Sequence, residues 1–310
     1  MKINKIRTAL ICLILSALLA AAPAFAVSFT DAMGRAVEVE SPRRVVSLYG
    51  SYGDAWLTAG GTLAGATQDV MEAGDPRLAG AQNIGSHHTP NAELLLSLDP
   101  DFVLLSADMS SHVEIAQMLD GAGIPCAFFS TKDYRAYMEM MRIFTELTGR
   151  SDLYEEQRAS VQAPIEQMIS EAQTGADYGA RTALLLRAYS SGVKAKGSDD
   201  TVAGVILKDM GFVNLADGDS ALSENLSLEQ ILIEDPDYIF VVTMGESSEA
   251  AMESMAALLT DNPAWAGLSA VRNGRYTVLD SDLFHRHPNA RWAESYAVIR
   301  DLLAAGGEGA

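Results

Sequence analysis

Asn91–Leu105, NAELLLSLDPDFVLL, decides how this chain is read, because residues 227–241, SLEQILIEDPDYIFV, repeat it. Glu93 corresponds to Glu229, Pro100 to Pro236 and Asp101 to Asp237, all at one offset of 136 residues. Each copy reads as a short helix with an acid in its first turn, a stop at Asp-Pro, and an apolar strand. The stop follows because a residue before proline is pushed out of the α region. In the first copy Thr89 is expected to cap the helix, with Pro90 at its first position. A phrase that returns once implies two similar lobes with a cleft between them. It also places one matching surface carboxylate on each lobe.

Outward from the first copy, strand and helix signals alternate. Residues 28–40 read as a hairpin turning at Met33-Gly34, and Val45–Leu48 as a buried strand. Tyr49–Gly53 reads as a turn, with a helix starting at Asp54 and stopping at Gly60-Gly61. A strand over 62–67, a loop, a strand at 102–105, a helix over 113–122 and a strand at 124–129 complete a parallel α/β lobe. A helix over 133–147 ends at Gly149. Residues 151–173 then read as one long helix, kinked or broken at Pro164, that can span both lobes. The second lobe repeats the programme, with a strand at 181–186, a helix at 202–210, the second copy of the phrase, a strand at 276–279 and a closing helix at 294–304.

The chain has 310 residues, 48% hydrophobic and 20% charged, enough for a core in each lobe. The start, with Lys2, Lys5 and Arg7, an apolar run over 9–22 and Ala24-Phe25-Ala26, has the form of a secretory signal cleaved after Ala26. Ala9-Leu10-Ile11 lacks the small residue expected before a lipid-modified Cys12, so no lipid anchor is expected. Removing those three basic and no acidic residues takes the formal charge from −19 to −22. So acidic a surface repels phosphate backbones, which excludes nucleic acid as a partner. Cys126 then stands alone, so no internal disulfide and no Cys-rich metal site can form. The expected segments are 1–26 signal, 27–150 first lobe, 151–174 linker helix and 175–310 second lobe, in an exported protein that is periplasmic or extracellular and membrane-associated.

The order of motifs resembles a known family. It runs through a hairpin with Gly34-Arg35, Arg44-Val45-Val46-Ser47-Leu48, Gly85 followed by Pro90-Asn91-Ala92-Glu93, Leu98-Asp99-Pro100-Asp101, Glu229, Asn262-Pro263-Ala264-Trp265 and Ala270–Tyr276. It is similar to the periplasmic-type solute-binding proteins of iron-siderophore, haem and cobalamin ABC importers, over nearly all of the chain after residue 26. The resemblance implies an α/β fold of two Rossmann-like lobes joined by a single long α-helix, the class III periplasmic-binding-protein fold. It implies a monomer that holds a ferric siderophore or related iron complex in the inter-lobe cleft and delivers it to a permease. It further implies that Glu93 and Glu229 dock on arginines of that ABC permease, although the helix dipole by itself favours an acid in any first helical turn.

In α/β lobes, ligands bind beyond the carboxyl ends of the strands. That rule selects Tyr49, Ser51, Tyr52, Trp56, Ser86, His87 and His88, with Ser106 nearby. In the second lobe it selects Arg187, Tyr189, Met244, Phe284, His285, Arg286 and Arg291, with Lys194, Lys196, His287 and Trp292 behind them. Aromatic rings offer flat apolar area to large planar or catecholate ligands. Arginine forks suit carboxylates and anionic chelates. The pairs His87-His88 and His285-x-His287 are weak metal motifs, and no metal ligation and no resident cofactor are assigned. Haem ligation by Tyr49, Tyr52 or a histidine stays open, as do cobalamin and, less favoured, free Zn or Mn. A sensor or scaffold role on the same lobes also stays open. An enzyme is disfavoured by the lack of G-x-S-x-G, G-x-x-x-x-G-K and H-E-x-x-H patterns.

Overall fold

The structure, a computed structural model, describes residues 26–307 except 73, 219–225 and 246. Residues 1–25, and with them the signal reading, lie outside the described residues.

By contact the chain divides into two compact units. Of the described residues, the first holds 26–53, 60–129 and 143–150; the second holds 54–59, 130–142 and those from 151 to 307. This grouping is less contiguous than the sequence segments, because its boundaries pass through helices Gly50–Thr58 and Tyr134–Thr148.

In the first unit, β1 (Ala26–Thr30) and β2 (Ala36–Glu40) form an antiparallel hairpin. The main sheet is built from β3 (Val45–Ser47), β4 (Leu63–Ala66), β5 (Gln82–Asn83), β8 (Phe102–Ser106) and β9 (Cys126–Phe129). Between β5 and β8 lies a small hairpin of β6 (Gly85–Ser86) and β7 (Thr89–Pro90). The sheet order is β5-β4-β3-β8-β9 and every pairing is parallel. This is doubly wound order, which reverses between β3 and β8, and ligands in such sheets bind at the carboxyl ends where the order reverses.

In the second unit, β10 (Arg181–Tyr189) runs parallel to β12 (Phe212–Asn214) and to β13 (Tyr238–Thr243), which pairs with β14 (Tyr276–Leu279). β11 (Gly192–Ala195) folds back on the end of β10 as an antiparallel hairpin. Here the order reverses between β10 and β13. β8 and β13 are buried at every residue, as expected of central parallel strands covered on both faces.

The repeated phrase is a repeat of geometry. Asn91 caps helix Ala92–Ser97 by accepting from Leu94 N–H, and Ser227 caps helix Leu228–Glu234 by accepting from Gln230 N–H. The expected cap at Thr89 is corrected: Thr89 and Pro90 form β7, and the helix starts two residues later. Asp99 and Asp235 both sit at positive φ, 47° and 40°, one residue before proline. Each Asp after the proline fastens the neighbouring strand. Asp101 accepts from Arg43 and Arg44 N–H at 2.8–3.0 Å, just before β3. Asp237 accepts from the Thr182 N–H and hydroxyl at 2.9 Å, at the start of β10.

Residues 151–173 are helical throughout, as Ser151–Gln157, a π-turn over Arg158–Gln162, and Ala163–Gln173. The π-turn stands directly before Pro164. It absorbs the missing proline N–H and the ring's clash with the preceding turn, so the helix is adjusted locally instead of broken.

Candidate functional site

The first unit's strand-end loops converge beside β3 and β8. Tyr49 follows β3 and is half-buried. Its ring meets the edge of the His87 ring at 6.0 Å, and the His87 and His88 rings lie 4.1 Å apart on the turn joining β6 to β7. The Ser86 hydroxyl accepts from His88 N–H at 3.2 Å and closes that turn. Two acids that sequence reasoning missed belong here. Asp69, in helix Gln68–Glu72, lies 3.6 Å from His87 Nδ1. It packs against Gly50 so closely that a β-carbon there would stand 2.5 Å from its carboxylate. Asp108 follows β8. Burial, then Asp108 and Asp69, push the Tyr49 phenol above its ordinary value, so Tyr49 is a neutral hydroxyl here.

Three expected contacts in this region are corrected. The helix begins at Gly50, not Asp54, so Tyr52, Ala55, Trp56 and Ala59 form a stripe at helical spacing that faces the core. Tyr52 and Trp56 are buried, and the Tyr52 hydroxyl donates to the Phe129 carbonyl at 2.8 Å. Neither ring presents surface to a ligand. Ser106 is also fully buried, as the last residue of β8. Ser51 stays half-buried in the first helical turn.

In the second unit, β10 continues past residue 186. Leu184, Leu186 and Ala188 face the apolar core, so Arg187 and Tyr189 stand on the other face. The hairpin sets Arg187 directly opposite Lys194. Like charges at such a position cost stability, with side chains about 5 Å apart at the β-carbons. Among the described residues, no carboxylate lies within ion-pair distance of either, in a chain with 41 acids against 22 bases. Met244, at the end of β13, donates its N–H to the Ala188 carbonyl at 2.9 Å and so sits beside this cationic pair.

His285 is near enough to Arg187 to feel its charge. Burial first, then Arg187, Arg286 and His287, push its imidazole down to about 4. Its Nδ1 is buried and, among the described residues, makes no hydrogen bond. His287 is anchored instead, with Nδ1 2.8 Å from the Thr131 carbonyl and therefore donating. Arg286 pairs with Asp282 at 3.1 Å and Arg291 with Glu294 at 2.8 Å, both exposed pairs within one helical turn. Surface ion pairing therefore occupies these two, and not Arg187. Phe284 and Trp292 are fully buried core residues, which corrects the expectation that Phe284 faces a ligand with Trp292 behind it.

A pH prediction follows from His285. Its folded form binds fewer protons than the unfolded chain between its ordinary 6.5 and about 4, so its contribution to stability is full above 6.5 and is lost as pH falls through that window. Urea unfolding at pH 7 and pH 4.5 should show a smaller acid loss in His285→Gln than in the wild type. Equal losses would refute the assignment.

Among the described residues, no three His, Cys, Asp or Glu side chains form a group that could hold a metal ion, and no helix is long and apolar enough to cross a membrane.

Comparison with known proteins agrees with this architecture. The model of the periplasmic binding protein family matches residues 45–283. The chain belongs to that family. The Fe(3+)-citrate-binding protein YfmC of Bacillus subtilis is 28% identical over 281 residues, covering 88% of this chain and 84% of its own. The structure of Staphylococcus aureus SirA complexed with staphyloferrin B superposes with a TM-score of 0.66 at 22% identity, over 91% of this chain and 98% of that one. The periplasmic heme-binding protein RhuT from Roseiflexus sp. RS-1 does so with a TM-score of 0.64 at 22% identity, over 85% and 99%. These two structural likenesses concern the fold.

Proposed function

We propose that this chain is the extracytoplasmic solute-binding component of an ABC importer, and that its ligand is an anionic ferric chelate built from carboxylate or hydroxycarboxylate groups. The observation that carries the ligand class is the Arg187–Lys194 pair, two cations held opposite one another with no ion-pair partner among the described residues of a strongly acidic chain. A bound polyanion relieves their repulsion, and a guanidinium gives a carboxylate two parallel hydrogen bonds. The neutral imidazole of His285 beside the pair adds a hydrogen-bonding group that repels neither an anion nor an apolar ligand face. The Fe(3+)-citrate binding of the Bacillus relative supports the same class.

Haem is less favoured. Iron ligation by tyrosine needs a phenolate, and Asp108 and Asp69 beside Tyr49 oppose that charge. The Tyr52 hydroxyl already donates to a carbonyl.

Docking on the permease falls to Glu93 and Glu229. Both are exposed and neither forms an ion pair among the described residues. Each helix also exposes an aliphatic side chain near its Glu, Leu96 at 38% and Ile233 at 75%. An acid beside apolar surface suits a basic, partly apolar permease face.

Native mass spectrometry of the purified protein against ferric citrate, a cationic ferric hydroxamate, haem and cobalamin tests the ligand class. Retention of ferric citrate alone is expected. Retention of haem or the cationic chelate in its place would overturn it.

A further inference from the structure

His112 is fully buried in the first turn of helix Ser110–Gly121. The N–H groups of Val103 in β8 and of Ala107 just after it donate toward the β9 side, at 3.0 Å to Pro125 O and Phe129 O. The Ser106 N–H therefore points to the opposite edge, toward β3. There Leu48 N–H still donates to Leu104 O at 3.0 Å, but the chain then turns away into helix Gly50–Thr58. His112 supplies the missing acceptor: its Nδ1 takes the Ser106 N–H at 2.9 Å. An accepting ring nitrogen carries no proton, so the proton of the neutral ring is on Nε2. Nε2 lies 3.0 Å from the carbonyl of His87, which can only accept. The two bonds thus specify one tautomer, and burial, which lowers the proton affinity of the ring, favours the neutral form. The far end of this bridge is the β6–β7 turn, a hairpin with two register pairs, Gly85 with Pro90 and Ser86 with Thr89. So short a hairpin is marginal alone.

We propose that His112 is a positioning residue, a latch of fixed tautomer that ties the His87–His88 turn to the carboxyl end of β8 and so holds the turn against Tyr49 for ligand. The proposal rests on the ligand-binding reading of that turn. It concerns a residue that touches no ligand itself.

Two substitutions separate the two bonds. In His112→Gln the amide nitrogen occupies the place of Nε2 and keeps the donation to His87 O, while Ser106 N–H loses its acceptor. In His112→Asn the side-chain oxygen keeps the bond to Ser106, while His87 O loses its donor. Amide hydrogen exchange over residues 85–90 and titration with ferric citrate are measured on the full chain, with melting temperature as the control. Both variants should melt lower to a similar extent. Only His112→Asn should speed exchange in the turn and raise Kd, each by about tenfold, the loss of one hydrogen bond. Equal effects of the two variants on exchange and Kd, or none from His112→Asn, would show a residue that merely supports the fold. If the wild type does not bind ferric citrate, the ligand reading fails, and the exchange arm still decides the latch. Nitrogen shifts of the wild-type ring supply a variant-free check, since a proton found on Nδ1 would overturn the proposal outright.

Discussion

Reversing the charge at Glu93 or Glu229 to lysine is expected to abolish ligand uptake in cells, while the purified variants keep their affinity within about twofold, as expected for rim charges remote from the ligand. The expectation follows from where these acids stand. Each is exposed in the first turn of a short helix whose inward residue, Leu95 or Ile231, is fully buried. Neither carries an internal ion pair among the described residues, so the fold loses little when the charge changes. The loss is confined to the favourable interaction with the helix dipole, roughly 0.3–1 kcal/mol. A docked charge pair is a different matter. Removing one partner of a desolvated pair costs about 2–5 kcal/mol, and reversal adds repulsion. Uptake assays alongside calorimetric titration separate the two effects. Should affinity fall in step with uptake, docking is the wrong role.

The second large effect is at Arg187. Arg187→Ala should weaken ferric citrate binding by roughly 10- to 100-fold, the range for losing a hydrogen bond to a charged group. Arg187→Lys should recover only part of this, because an ammonium cannot form the planar fork. The apo protein should behave in the opposite sense. Relieving a like-charge cross-strand contact stabilises a hairpin by about 0.2–1 kcal/mol, so unfolding of apo Arg187→Ala should not move to lower denaturant. His285 supplies an internal reporter, since Arg187 is the largest charge contribution depressing it. In Arg187→Ala its titration, followed by NMR, should move up toward the ordinary 6.5. Lost stability with unchanged affinity would mark Arg187 as structural.

The family relation makes these experiments specific, since the fold is shared by a protein complexed with staphyloferrin B and by one described as heme-binding. The experiments turn on the charge and protonation state of this chain's strand-end groups. On the first unit these are neutral Tyr49 and the two histidines with acids behind them. On the second they are a cation pair with a neutral imidazole beside it.

Much of the fold was legible in the sequence. The 136-residue repeat gave the two lobes, and its Asp-Pro stops proved equivalent down to the positive φ of Asp99 and Asp235. Local rules sufficed there for the stops and buried strands, which depend on residues a few positions apart, although the first cap fell on Asn91 and not Thr89. The candidate site was legible where a side chain simply follows a strand, as at Tyr49 and His87. It was misread where one helix boundary was wrong: placing the start at Asp54 instead of Gly50 made the core residue Tyr52 look like a loop aromatic, and Trp56, already inside the expected helix, lies on its buried face.

The sequence by itself determined the lobes, the pair of outward acids and the supply of aromatic, histidine and arginine side chains near strand ends. Only the tertiary structure decided which of these act together. Asp69, Asp108 and His112 join Tyr49 and His87 because the sheet order sets β3 beside β8, bringing together groups as many as 63 residues apart, Tyr49 and His112. Arg187 faces Lys194 because β10 runs on to Tyr189 before it turns. Hydrogen bonding and charge act over a few ångströms, and in a crossover-connected sheet those distances are set by strand order and register, which no local pattern of residues records.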